Sequence, residues 1–84
     1  MRYSSFVALI WFYAASRSAA ECSTMETTLG TLGDVVSMLT QKNAELAKLL
    51  PTCTFLLNSE NCDDLTQKLE VEDRIDVLPQ FSGG

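Results

Sequence analysis

Cysteine and carboxylate are the side chains in this sequence whose number and spacing could support specific chemistry. Cys22, Cys53 and Cys62 are separated by thirty and then eight residues, and the 84-residue chain contains no histidine. A thiol can be a nucleophile beside an activating imidazole, a zinc ligand where four donors converge, or half of a disulfide. Without histidine there is no Cys-His pair and no Ser-His-Asp triad. Three thiolates at this spacing match no zinc finger or ribbon. Pairing is the chemistry left to the cysteines, and an odd count leaves one thiol over. Cys53–Cys62 would close a short loop over Thr54–Asn61. A bridge from Cys22 to either partner would remove more loop entropy, on the order of 3–4 kcal/mol in the simple chain model. All three pairings stay open. Cys53–Cys62 within the chain is the expected one, with Cys22 left to join two chains.

The carboxylates gather late in the sequence. Glu60, Asp63, Asp64, Glu70, Glu72, Asp73 and Asp76 share that stretch with Lys68 and Arg74. The spaced Asp/Asn ligands and central Gly of an EF-hand loop are absent. Paired carboxylates can do acid–base work, but a chain this small offers little room for the concave pocket that tunes them. No catalytic residue, no metal and no cofactor is therefore expected. By default these acids are a solvated helix face. In the functional reading Asp63, Asp64, Glu70, Glu72 and Asp73 form an acidic patch that steers a basic partner. The formal charge of -5 argues against nucleic-acid binding.

The redox setting of the cysteines is read from the N-terminus. Phe6–Ala15 runs ten residues without a charge, after a start with Arg2 and before Ser18-Ala19-Ala20. That is the order of a secretory signal peptide: basic start, apolar middle, small residues at the cut. The run is half the length of a membrane span. Cleavage after Ala20 would leave a mature chain with four basic and eleven acidic residues, a charge of -7. Oxidised cysteines suit a small secreted domain.

The elements that would hold these groups read as helices. Ser23-Thr24-Met25-Glu26 has the form of a capping box. Beyond it Met25, Leu29, Leu32, Val36, Leu39, Leu46 and Leu50 step by three and four, with Asn43 interrupting the stripe. The firmest helix spans residues 34–50, with Asp34 an alternative N-cap, and Pro51 ends it. Thr52–Leu57 could be a short helix, Asn58–Asn61 is a turn by composition, and residues 63–76 read as a further helix. Pro79–Gly84 reads as a disordered tail.

The fold expected from these elements is all-α: a small bundle of two to four short helices with at most one intrachain disulfide and a flexible C-terminal tail. Its parts are a signal peptide over 1–20, a helical domain over 21–78 and the tail over 79–84. Glu21-Cys22 at the start of the mature chain and the acidic helices resemble the secretoglobins, although no cysteine follows Cys62. That resemblance implies a disulfide-linked helical dimer enclosing an apolar cavity. The function expected is that of a secreted, non-enzymatic binder of an extracellular protein partner. The alternative is a dimeric carrier of a small apolar ligand, joined through Cys22. Leu29, Leu32, Val36, Leu39, Leu46 and Leu50 would be core or partner face.

Overall fold

The apolar run at the start of the chain is a β-strand. The computed structural model describes residues 7–80, and in it Val7–Phe12 forms β1. Then follow α1 (Ala14–Ala20), β2 (Thr24–Thr28), α2 (Leu32–Lys42), α3 (Ala44–Leu49), β3 (Cys53–Leu57), β4 (Glu60–Asn61) and β5 (Arg74–Pro79). The strands form one mixed sheet in the order β2-β1-β5-β3-β4. β1 pairs antiparallel with β2 and parallel with β5, while β3 pairs antiparallel with β5 and β4. The first and last strands thus lie side by side in the middle. A parallel pair cannot be closed by a hairpin, so the chain between must cross over, and the helices do this.

Alternation along β1 and β5 sets the core. Ala8, Ile10, Phe12, Ile75 and Val77 are buried on one face, where they meet Leu32, Val35, Leu39, Leu46, Leu50 and Leu69. Each fully buried large aliphatic or aromatic side chain contributes about 1.5–3 kcal/mol. Cleavage after Ala20 would therefore delete β1, α1 and three core residues, Ala8, Ile10 and Phe12. The signal-peptide reading fails on this point, and the mature domain beginning at residue 21 fails with it. The all-α bundle is overturned as well, because residues expected in helices or in a leader supply the strands of a mixed sheet.

Local chemistry explains where the helices fall. Thr31 and Asp34 form a reciprocal cap: Asp34 N–H donates to Thr31 Oγ1 at 3.1 Å, and Thr31 N–H donates to Asp34 Oδ2 at 3.0 Å. The capping box expected at Ser23–Glu26 lies instead at the start of β2. Two more N–H groups at the head of α2 are met by the loop before β5. Leu32 N–H donates to Gln67 O at 2.9 Å and Gly33 N–H to Leu65 O at 2.8 Å. A side chain at position 33 would place its Cβ 3.0 Å from that Leu65 oxygen, so glycine permits the close approach.

The single helix expected over 34–50 is broken at Asn43, whose extended backbone ends α2. Its Oδ1 accepts from Glu45 N–H and Leu46 N–H, and its Nδ2 donates to Ala19 O at 2.8 Å. The polar residue in the apolar seam is thus an N-cap that also ties α1 to α3. Pro51 lies in a 3-10 turn over Leu50–Thr52 that leads into β3. Asn58 and Ser59, with φ of 51° and 74°, make the two-residue turn between β3 and β4. Residues 63–76 are not a helix: an irregular segment carries Leu69 into the core and ends in β5. Pro79 belongs to β5, and residues 81–84 of the expected tail lie outside the described residues.

Candidate functional site

The face of the sheet opposite the core carries the other half of each alternation. In β1 these are Val7, Leu9 and Trp11, with Tyr13 just beyond; in β5 they are Arg74, Asp76 and Leu78. Leu9 stands opposite Arg74 and Trp11 opposite Asp76, and Leu56 of β3 lies on Asp76's other side. Leu9 is 38% exposed, whereas its neighbours Ala8 and Ile10 are fully buried.

Four of these residues form one network. The Arg74 guanidinium lies 4.3 Å above the Trp11 ring centroid. Its Nε donates to Asp76 Oδ1 at 3.0 Å and its Nη2 to the Tyr13 hydroxyl at 2.6 Å. Tyr13 in turn donates to Asp76 Oδ1 at 3.0 Å. Asp76 and then Tyr13 push the Arg74 pKa higher still. The Asp76 side chain is 8% exposed and that of Arg74 is 45% exposed, so the anion is sunk and the cation covers it. Ser16 braces this corner: buried in α1, it donates to Val77 O at 2.9 Å and accepts from Tyr13 N–H at 2.9 Å. Among the described residues no buried side-chain polar atom is left without a partner. A rigid Trp–Tyr–Arg cluster ringed by Leu9, Leu56 and Leu78 is suited to protein recognition.

β5 then carries the chain out of the sheet centre. Gln80 N–H donates to Thr52 O at 3.2 Å, and the sequence continues Phe81-Ser82-Gly83-Gly84.

The residues singled out by sequence are dispersed. Cys22, Cys53 and Cys62 are half-buried free thiols, so neither the expected bridge nor any other forms. Burial pushes the Cys53 thiol up, and its Sγ lies 3.4 Å from Leu49 O. Leu32, Leu39, Leu46 and Leu50 are core, Val36 is half-buried against it, and Leu29 is exposed. The acids Asp63, Asp64, Glu70, Glu72 and Asp73 lie along the irregular segment rather than on one helix face. Some of them hold backbone. Asp73 accepts from Asn58 Nδ2 at 2.8 Å and from Glu70 N–H at 2.7 Å. Asp64 accepts from Thr66 Oγ1 and N–H, and these bonds lower its pKa. Trp11, Tyr13, Arg74 and Asp76 were not expected as a site; the alternation of Arg74 and Asp76 with Ile75 and Val77 is a signal for the β5 half, while residues 7–13 are apolar throughout and carry none.

Comparison with known proteins gives a consistent answer. The family model described as the ThiS family matches residues 10–84. The fold is the ubiquitin-like β-grasp, and several solved structures share it. Small archaeal modifier protein 1 (SAMP1) from Methanosarcina acetivorans has a TM-score of 0.82 at 23% identity, over 93% of this chain and 96% of that one. One chain of the protein-protein complex of subunits 1 and 2 of molybdopterin-converting factor from Helicobacter pylori matches with a TM-score of 0.73 at 23% identity, over 93% of this chain and 99% of that one. Urm1 from Trypanosoma brucei matches with a TM-score of 0.75 at 18% identity, covering 99% and 100%. No curated protein sequence matches the chain. These likenesses, and the folding of residues 7–20 into the sheet and its helices, overturn the reading of a secreted binder of an extracellular partner. The helical ligand-carrying dimer and the Cys22-linked pair fall with it.

Proposed function

Because the chain belongs to the ThiS family, we propose that it is a small carrier protein whose working group is the C-terminal carboxylate of Gly84. The observation that carries this reading is the reach of the family match, which runs to residue 84 and takes in Gly83-Gly84. Two glycines put no side chain beside the carboxylate and leave the backbone free to thread a narrow enzyme channel. A carboxylate is a poor electrophile. It must first be joined to a leaving group, such as a nucleotide, by a partner enzyme. Hydrosulfide then attacks the carbonyl carbon, the nucleotide leaves with one of the original carboxylate oxygens, and a thiocarboxylate remains. The chain lacks the histidine-based sets that could do this alone, so we read it as cargo-bearing rather than catalytic, working inside the cell. The open sheet face is the docking surface that holds the partner while the tail enters its site.

A second reading shares the activation step. Transfer of the activated Gly84 carbonyl to a lysine amine would make the protein a modifier, and the likeness to the archaeal modifier protein favours keeping it.

The test is mass analysis of the full chain isolated from its own cells. Cleavage after Arg74 releases Ile75–Gly84, a peptide without cysteine. A carrier yields this peptide with one oxygen replaced by sulfur and reactive toward iodoacetamide. A modifier yields it joined to lysine-containing peptides. A peptide that extends past Gly84, or carries only an unmodified carboxylate with no conjugates, overturns both readings.

A further inference from the structure

At one end of the open face a hollow of 350 Å³ is lined by Val7, Leu9, Glu26 and Glu72. Its floor is apolar and comes from β1. Its two carboxylates arrive from opposite sides of that strand. Glu26 stands opposite Leu9 in the β1–β2 register. Glu72 belongs to the turn before β5, and its own N–H donates to Val7 O at 2.9 Å, which fixes the turn against the floor. Glu72 holds a φ of 68°, a left-handed conformation that a glutamate adopts at some cost. The nearest cation in the register, Arg74, does not line the hollow; its guanidinium is committed to Asp76, Tyr13 and Trp11. Among the described residues neither Glu26 nor Glu72 takes part in an ion pair.

An apolar floor between two carboxylates suits one kind of occupant. Lysine and arginine lay an aliphatic stem on apolar surface and keep a cationic head at its edge. Among the described residues no third carboxylate, cysteine or histidine joins the pair to form a metal-ligating group. The hollow is continuous with the face that carries Trp11, Leu56 and Leu78, so the occupant belongs to a protein surface. We propose that this hollow receives a lysine or arginine side chain of the partner that docks on the open sheet face. The pair Glu26 and Glu72 thereby selects a partner with a basic residue beside an apolar one. This rests on the reading of that face as a docking surface.

Short peptides test it on the full chain by NMR. The probes are acetyl-Leu-Arg-Leu-amide and the same peptide with glutamine or glutamate at the centre. The arginine peptide should shift the amides of Val7–Phe12, Thr24–Thr28 and Glu72. It should bind about fivefold more tightly than the glutamine peptide, an advantage that salt reduces. The E26Q/E72Q variant should lose that advantage while its spectrum elsewhere stays that of the parent. Equal binding of the arginine and glutamine peptides overturns the proposal. So do shifts that spread along Asp63–Asp73 and survive E26Q/E72Q, which would report net charge alone, and so does absence of binding by any peptide. The peptides need no activation of Gly84, so this test and the test of carrier chemistry can fail separately.

Discussion

The two faces of the central strands use adjacent residues for opposite purposes. On the helix side Ala8, Ile10, Phe12, Ile75 and Val77 are sealed and wholly apolar. One residue along, Leu9, Trp11, Arg74, Asp76 and Leu78 make a surface that mixes apolar, aromatic and charged groups. The pleat separates the two sets, since successive side chains point to opposite faces. Stability is concentrated on one side of the sheet, which leaves the other side able to vary its chemistry without unfolding the protein. The difference also explains how so small a chain presents a rigid recognition surface: the strands that bear it are the two most buried in the molecule.

That division is sharpest at Ile10 and Leu9. Ile10→Ala should destabilise the protein by about 2–5 kcal/mol, and Ile10→Val by about 0.5–1.5 kcal/mol. Leu9→Ala, at a position already 38% exposed, should cost less than about 1 kcal/mol and weaken partner docking instead. Urea unfolding of the three variants checks this. Equal losses at positions 9 and 10 would mean that both faces are core. Removal of residues 1–20 takes away β1 and α1 and should leave no cooperative transition.

The open face has its own weak point. Asp76 accepts from Arg74 and Tyr13, so Asp76→Ala leaves both donors without their acceptor. A loss of about 1–3 kcal/mol is expected. Freed of Asp76, the Arg74 head should leave Trp11, which indole fluorescence and the Trp11 ring NMR signals report. Tyr13→Phe removes one donor and should cost about 0.5–1.5 kcal/mol. If Asp76→Ala leaves the Trp11 signals unchanged, the ring and not the carboxylate positions the guanidinium.

The helix half of the core was legible in the sequence, and the sheet half was not, since Ala8, Ile10 and Phe12 were read as part of a leader. Leu32, Leu39, Leu46 and Leu50 were marked as apolar stripe and are core. The break between α2 and α3 was not, because Asn43 in a helical stripe looks the same whether it faces a seam or caps a new helix. β1 was misread for a physical reason. A short apolar run cannot be assigned to helix or strand from periodicity when both of its faces are apolar. Phe6–Ala15 meets the demands of an export segment and of an inner strand alike, and the small residues Ser18-Ala19-Ala20 that resemble a cleavage site are the last turn of α1, where Ser18 is exposed and Ala19 and Ala20 rest against the core. The open-face cluster was hidden more deeply. Tyr13 and Asp76 are far apart in the chain and meet only because the first and last strands pair in parallel. The acids, by contrast, were visible as a group but not as individuals: Asp73 and Asp64 hold turns, while Glu72 joins Glu26 from another strand.

The smallest expected effect lies at the margin between the two faces, at Cys53, which opens β3 opposite Pro79 on the core side. Burial raises its pKa in the folded protein. The unfolded chain therefore releases the thiol proton first as pH rises. Through the range between the ordinary thiol value of about 8.5 and the higher folded value, the unfolded state binds fewer protons than the native one, so stability falls with pH. It is fully present below the ordinary value. Cys53→Ala should flatten this decline without changing stability's dependence on pH in the acid range. Urea unfolding between neutral and strongly alkaline pH, with reductant present, measures it. The same raised pKa should make Cys53 alkylate more slowly at pH 8 than it does in the urea-unfolded chain. Alkylation as fast in the folded protein as in the unfolded one would place that thiol on the open side of the division instead.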